Sequence, residues 1–123
     1  MPGPGPTASA LAHAAIVLAG GRARRPSRIY RIYVVELADA AGRRRPDRPC
    51  VYVGQTVVTP EERLAQHKAG HKASRVVRRH GLRLRPDLYA GLPLLASREA
   101  ALVLEARVAA ELRARGYRVF GGH

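Results

Sequence analysis

Five side chains in this sequence could do chemistry together. They are Tyr33 and Tyr52, each in a β-rich run, Arg63 and His67 four residues apart, and Glu105 far downstream. A phenol can orient or deprotonate a water when nearby cations lower its pKa from the ordinary value of about 10. Four-residue spacing puts Arg63 and His67 on one helical face. There the arginine can clamp a phosphoryl oxygen, and the histidine can hydrogen-bond a phosphate or shuttle a proton. Glu105 falls inside an apolar arc formed by Ala101, Leu104, Val108, Ala109 and Leu112. A lone carboxylate is costly to bury unless a cation, a metal or a dense set of hydrogen bonds meets it. Together these are parts for metal-assisted phosphodiester hydrolysis. Plainer roles compete: strand tyrosines pack, helical Arg/His pairs face solvent, and a buried glutamate can pair with an arginine.

Positioning these groups takes several elements. Arg28–Leu37 is dominated by Ile, Tyr and Val and reads as a strand. Its apolar residues fall on both parities, so both faces of the sheet are expected to be covered. Residues 38–48 contain Gly42, Pro46 and Arg43-Arg44-Arg45 and read as a long hairpin loop, with Pro49–Gln55 as the returning strand. Gly54 near its end marks a close backbone approach. Thr59-Pro60-Glu61-Glu62 combines a Thr N-cap, a first-turn proline and a glutamate at the third position. A helix therefore starts there, carries Arg63 and His67, and stops at Gly70. A basic helix follows over Ser74–His80, stopped by Gly81, and Leu82–Tyr89 reads as an edge strand around Pro86. Ser97 caps the longest helix, Arg98–Arg115, closed by Gly116, before a short terminal strand at Tyr117–Phe120. Met1–Ser27, rich in Pro, Gly, Ala and Arg, reads as a flexible basic tail ahead of one domain over residues 28–123. Short antiparallel strands with helices between them make the fold class α+β.

A chain of 123 residues has material for one core. Its 22 Lys and Arg against 9 Asp and Glu give a net charge of +13, and only Lys68 and Lys72 are lysines. Arginine forks match phosphate oxygens two at a time, so a polyanion is the expected partner. Phosphate contacts are expected from Arg43, Arg44, Arg45, Lys68, Lys72, Arg75, Arg78 and Arg79, helped by Arg22, Arg24 and Arg25 of the tail. A single cysteine, Cys50, excludes a disulfide framework and a thiolate zinc cage, and makes a reducing cytoplasm the default compartment. The apolar run Ala8–Ala19 is interrupted by His13 and is too short to span a bilayer. No basic residue precedes it, so neither membrane insertion nor secretion is expected. His67 and His71 share the spacing of a zinc helix, but Gly70 breaks the helix between them and no glutamate follows His67.

Arg31-Ile32-Tyr33, Tyr52-Val53-Gly54, the run TPEERLAQH ending at His67, and the late helical Glu105 together resemble the GIY-YIG nuclease family, over about Ile32 to Gly122. The resemblance implies a small sheet of three antiparallel strands flanked by helices. It also implies hydrolysis with one divalent metal, Mg2+ or Mn2+, held by Glu105. In that scheme Tyr33 or Tyr52 activates the attacking water, Arg63 stabilises the charged phosphorane and His67 supports the base or binds the phosphate. The metal stabilises the departing oxyanion. Two departures stand out: Arg31 occupies the first glycine position, and Gly121 and Gly122 stand where the family often has an asparagine.

The implied function is a metal-dependent endonuclease acting on nucleic acid, DNA ahead of RNA. It would work as a monomer or weak dimer, with a protein partner supplying specificity. The alternative is a non-catalytic nucleic-acid-binding module that keeps the fold. A basic RNA-associated structural protein ranks last, because it leaves Glu105 in its apolar arc without a reason.

Overall fold

The computed structural model describes residues 28–38 and 49–122. The Met1–Ser27 tail, the loop bearing Arg43, Arg44 and Arg45, and His123 lie outside the described residues. The two Ile/Val/Tyr runs form β1 (Arg31–Leu37) and β2 (Cys50–Thr56), paired antiparallel with Tyr33 opposite Gly54. Helix α1 (Pro60–Ala69) opens with a complete capping box between Thr59 and Glu62 and closes on Gly70 in the left-handed conformation. Helix α2 (Arg75–His80) is capped by the Ser74 hydroxyl, and β3 (Gly81–Leu84) follows it without a break. Helix α3 (Arg98–Ala114) is capped by Ser97, and β4 (Arg118–Gly121) completes the chain.

The α+β class holds, but the sheet has four strands in the order β3-β1-β2-β4 instead of three antiparallel ones. The fourth is the terminal segment, and it runs parallel to β2, Cys50 to Val53 facing Arg118 to Gly121. Parallel neighbours need a crossover with a helix in it, and α3 supplies one on its way back to the sheet edge. A four-residue strand has no periodicity from which to read its partner. The expected strand at Leu82–Tyr89 is also shorter. It stops at Leu84, and Pro86, which lacks an N–H to give the sheet, opens a 3-10 turn over Pro86–Leu88.

Apolar residues on both parities of β1 and β2 do mean two covered faces. Ile32, Val34, Val51 and Val53 pack with Ala101, Leu104, Val108, Ala109 and Leu112 of α3. Tyr33, Val35, Leu37 and Cys50 face the other way, onto Val77 of α2 and, at the margin, Leu64 of α1. Each fully buried aliphatic side chain contributes about 1.5–3 kcal/mol relative to exposure. The sheet is thus held between α3 and the α1–α2 pair. No helix among the described residues is long and apolar enough to cross a membrane.

Candidate functional site

Tyr33, Tyr52 and His67 meet on the α1–α2 face. Their ring centroids are 6.2 Å apart for the tyrosine pair, 6.1 Å for Tyr33 and His67, and 5.7 Å for Tyr52 and His67. Strand pairing sets this up: Tyr33 lies opposite Gly54, and the missing side chain there makes room for the phenol. A Cβ on Gly54 would stand 2.8 Å from the Tyr33 hydroxyl oxygen and 2.9 Å from the Tyr52 ring. The close approach expected at Gly54 is therefore made by the two tyrosines.

His67 is the single buried residue of α1, fully out of solvent, and both its ring nitrogens are used. The Ser74 backbone N–H donates to Nδ1 at 2.9 Å, so Nδ1 carries no proton. In the neutral ring the proton then sits on Nε2, which donates to the Tyr33 hydroxyl at 2.8 Å. Burial, aided by the Arg63 charge, lowers the His67 pKa to about 4, which keeps the ring neutral near pH 7. Both ring nitrogens are thus taken, and the buried ring reaches the Tyr33 hydroxyl with no exposed surface of its own. His71, which shares the zinc-helix spacing with it, is exposed while His67 is buried.

Both phenols are pushed up in pKa. For Tyr33 the main cause is burial, followed by Tyr52, with Arg63 pulling the other way through its charge and a hydrogen bond. For Tyr52 burial again leads and the Glu105 charge comes second, opposed by Arg63 and by hydrogen bonds to Ser74 and Tyr33. Arg63 is fixed in place before any ligand arrives. Its guanidinium donates to Gln66 Oε1 (3.0 Å) and to the carbonyls of His71 (3.2 Å) and Lys72 (2.7 Å). Lys72 turns its carbonyl inward by adopting φ 43°, a left-handed conformation uncommon outside glycine.

Glu105 approaches from the opposite face. It lies with Ala101, Leu104, Val108, Ala109 and Leu112 on the buried side of α3, as its place in the arc required. It is 4% exposed, and among the described residues no arginine or lysine pairs with it. Instead Gln55 Nε2 donates to Oε1 and the Gly122 N–H donates to Oε2, each at 3.1 Å. Gly122 reaches that far because it sits against α3 with φ 69°, where a Cβ would come within 2.3 Å of the Ala109 Cβ. Glycine is required there.

Antiparallel pairing puts the start of β1 and the end of β2 at one end of the sheet, and β4, parallel to β2, ends there too. The tyrosines and His67 lie above that end and Glu105 below it, close enough for the carboxylate to raise both tyrosine pKa values. Gln55 also lines an open groove with Tyr30, Arg63, His71 and Lys72, so Glu105 is one side chain in from solvent. Among the described residues no three His, Cys, Asp or Glu cluster as a metal cage would need. The donor set suits magnesium or manganese better, since a hard cation of this kind keeps several waters and takes as few as one carboxylate.

Of the expected phosphate contacts, Lys72, Arg75, Arg78 and Arg79 are exposed, whereas the exposed Lys68 has its ammonium on the Gly81 carbonyl. Sequence reasoning missed Gln55, Ser74 and Gly122 as partners of the site. Gln55 could have been found, since it shares the parity of Val51 and Val53 and so points to a covered face. Ser74 and Gly122 act through backbone amides, which no residue type reveals. Comparison of the chain with protein-family models, curated proteins and solved structures gives no match.

Proposed function

We propose that this chain is a metal-dependent endonuclease of the GIY-YIG type, hydrolysing phosphodiester bonds in nucleic acid, DNA ahead of RNA. The observation that carries the reading is Glu105: a buried carboxylate met by two neutral donors and, among the described residues, by no basic side chain, at the sheet end that holds a tyrosine–histidine pair and an anchored arginine. Desolvating a charge this way is costly, and a bound cation offsets the cost.

Within this reading Glu105 would hold Mg2+ or Mn2+, its two oxygens oriented by the Gln55 side chain and the Gly122 N–H. When bound, the cation supplies Lewis-acid stabilisation of the departing oxyanion. Tyr33 is the better base of the two phenols. Its assignment rests on geometry: His67 Nε2–H donates to its oxygen and so favours the phenolate, against the burial that raises both phenols. Arg63, held by the 71–72 carbonyls, stabilises charge on the phosphoryl group. Burial keeps Tyr33 protonated near pH 7. The cleavage rate should therefore climb roughly tenfold per pH unit between pH 6 and 9, with no break near the ordinary histidine value.

The test is nicking of labelled duplex, branched and single-stranded substrates by wild type and Glu105→Ala, with and without magnesium. Metal-dependent cleavage by wild type alone supports the endonuclease. Equal activity in both proteins assigns the cleavage elsewhere and removes Glu105 from the mechanism. Binding without cleavage on any substrate favours the non-catalytic module.

A further inference from the structure

A second open groove lies beside the cleft, on the far side of the turn that anchors Arg63. His71 and Lys72 of that turn line the cleft groove, while Gly70 and Ala73 line the second one together with Arg75, Arg78 and Arg79. The sequence of α2 explains the charge. Val77 is buried and Val76 half-buried, which leaves all three arginines on the solvent side, and the helix contains no acid. Arg75 sits three and four residues from Arg78 and Arg79, a like-charge spacing that destabilises a helix. Among the described residues none of the three has an ion-pair partner, while Arg83, Arg85 and Arg115 elsewhere are paired with Glu36, Asp87 or Glu111. Unpaired arginines gathered in a groove match an anion with several oxygens.

The aromatic residues decide what kind of anion. The chain has six: Tyr30, Tyr33, Tyr52, Tyr89, Tyr117 and Phe120. All six are buried or half-buried, and Phe120 is further covered by the Arg118 guanidinium, 5.4 Å from its ring centre. Single-stranded nucleic acid is usually gripped by bases stacking on exposed aromatic rings, at about 1–3 kcal/mol per base. None of the six lines the second groove, which offers charge without a stacking ring of its own.

We propose that the Arg75–Arg78–Arg79 groove is a phosphate site outside the cleft that holds the backbone of a base-paired strand on the substrate's path over the 70–73 turn. The proposal rests on the nucleic-acid reading above and adds to it an anchor that sets affinity separately from the chemistry. Phosphate contacts position the substrate without reading its bases.

The experiment uses the full chain in EDTA, so that no cleavage occurs. Fluorescence anisotropy measures its affinity for a labelled 20-base-pair duplex and for the matching single strand, each across a salt series. The proteins are wild type, the triple variant Arg75→Gln/Arg78→Gln/Arg79→Gln, and the double variant Arg75→Gln/Arg79→Gln. The double variant spares Arg78, which packs on Gly70, and so guards against a folding defect. Wild type should prefer the duplex, and the triple variant should bind it at least ~10-fold more weakly, with a salt slope shallower by about 3. The double variant should lose about 2 from the slope. Duplex affinity and slope unchanged in both variants would overturn the groove while leaving the nuclease reading intact. Preference for the single strand would overturn the paired-strand assignment. Failure of wild type to bind either would overturn both readings.

Discussion

The two faces of the sheet solve the same problem in opposite ways. Each buries polar side chains that water would otherwise solvate. On the α1–α2 face burial has removed the charge: His67 is neutral with its pKa near 4, the tyrosines are pushed up, and every ring has a hydrogen-bonding or ring partner. On the α3 face Glu105 keeps two acceptor oxygens inside an apolar arc and, among the described residues, meets only neutral donors. One face is closed, its buried rings neutral throughout, and the other buries a carboxylate whose partners among the described residues carry no charge. A network that is already satisfied rigidifies a fold, whereas one that lacks a countercharge is a place where a ligand adds stability.

The largest expected effect breaks the comparison on its open side. Glu105→Ala should lower magnesium-dependent cleavage by ~10²–10³-fold, the scale of losing a main electrostatic stabiliser, while duplex binding in EDTA is retained. A readout independent of activity goes with it. If Glu105 holds the ion, millimolar manganese or magnesium should raise the melting temperature of wild type by mass action and leave that of the variant unmoved. Equal shifts in the two proteins would place the ion elsewhere.

The closed side breaks with acid. Folded His67 has a pKa near 4 because burial, and then the Arg63 charge, disfavour its protonation; unfolded it returns to about 6.5. Between those values the unfolded chain binds the extra proton, so stability is full above pH 6.5, falls as pH drops, and levels off below 4. The whole loss is about 3 kcal/mol. Protonation would also set an Nδ1–H against the Ser74 N–H, donor facing donor. Urea unfolding at pH 7, 5.5 and 4.5 checks this against His67→Gln, whose pH dependence over that range should be flatter by about 2 kcal/mol. Parallel curves would mean that His67 titrates normally in the fold.

Much of this face could be read from the residues, and little of the other. Thr59, Pro60, Glu62 and Gly70 bound α1 through local chemistry, so the placement of Arg63 and His67 on one helix followed from sequence. The burial of Glu105 was legible too, because a 3.6-residue period is local. What met Glu105 was not. Gly122 belongs to the segment after β4, whose parallel pairing with β2 depends on how α3 returns the chain. The tautomer of His67 likewise depends on a backbone amide seven residues away. Local periodicity shows which side chains are buried. It does not show which amides will find them.

A smaller effect is expected at the seam between β1 and β2. Gly54→Ala would put a methyl 2.8 Å from the Tyr33 oxygen and 2.9 Å from the Tyr52 ring, and Tyr33 cannot retreat while it holds His67. Overpacking of this kind costs about 1–3 kcal/mol. The cleavage rate should fall more than duplex affinity does, because the displaced atom is the proposed base. Full activity with unchanged stability would show that Tyr33 moves freely and that the tyrosine face is not the rigid side.

The smallest effect separates the scaffold from the site it carries. Thr59→Ala removes the N-cap of α1: the hydroxyl no longer accepts from the Glu62 N–H at 3.1 Å, and half of the capping box is lost. Such a cap is worth about 1 kcal/mol, and in a domain of this size the melting temperature should drop by about 4–8 °C. The helix nevertheless docks through His67, two turns further on, and Arg63 is pinned to the 71–72 carbonyls instead of to the helix start. The site should therefore keep its geometry at 25 °C, with cleavage within about twofold of wild type while thermal unfolding comes earlier. If the rate falls as steeply as in Gly54→Ala, the tyrosine–histidine network depends on the helix start, and the closed face owes its rigidity to α1 as a whole and not to its own hydrogen bonds.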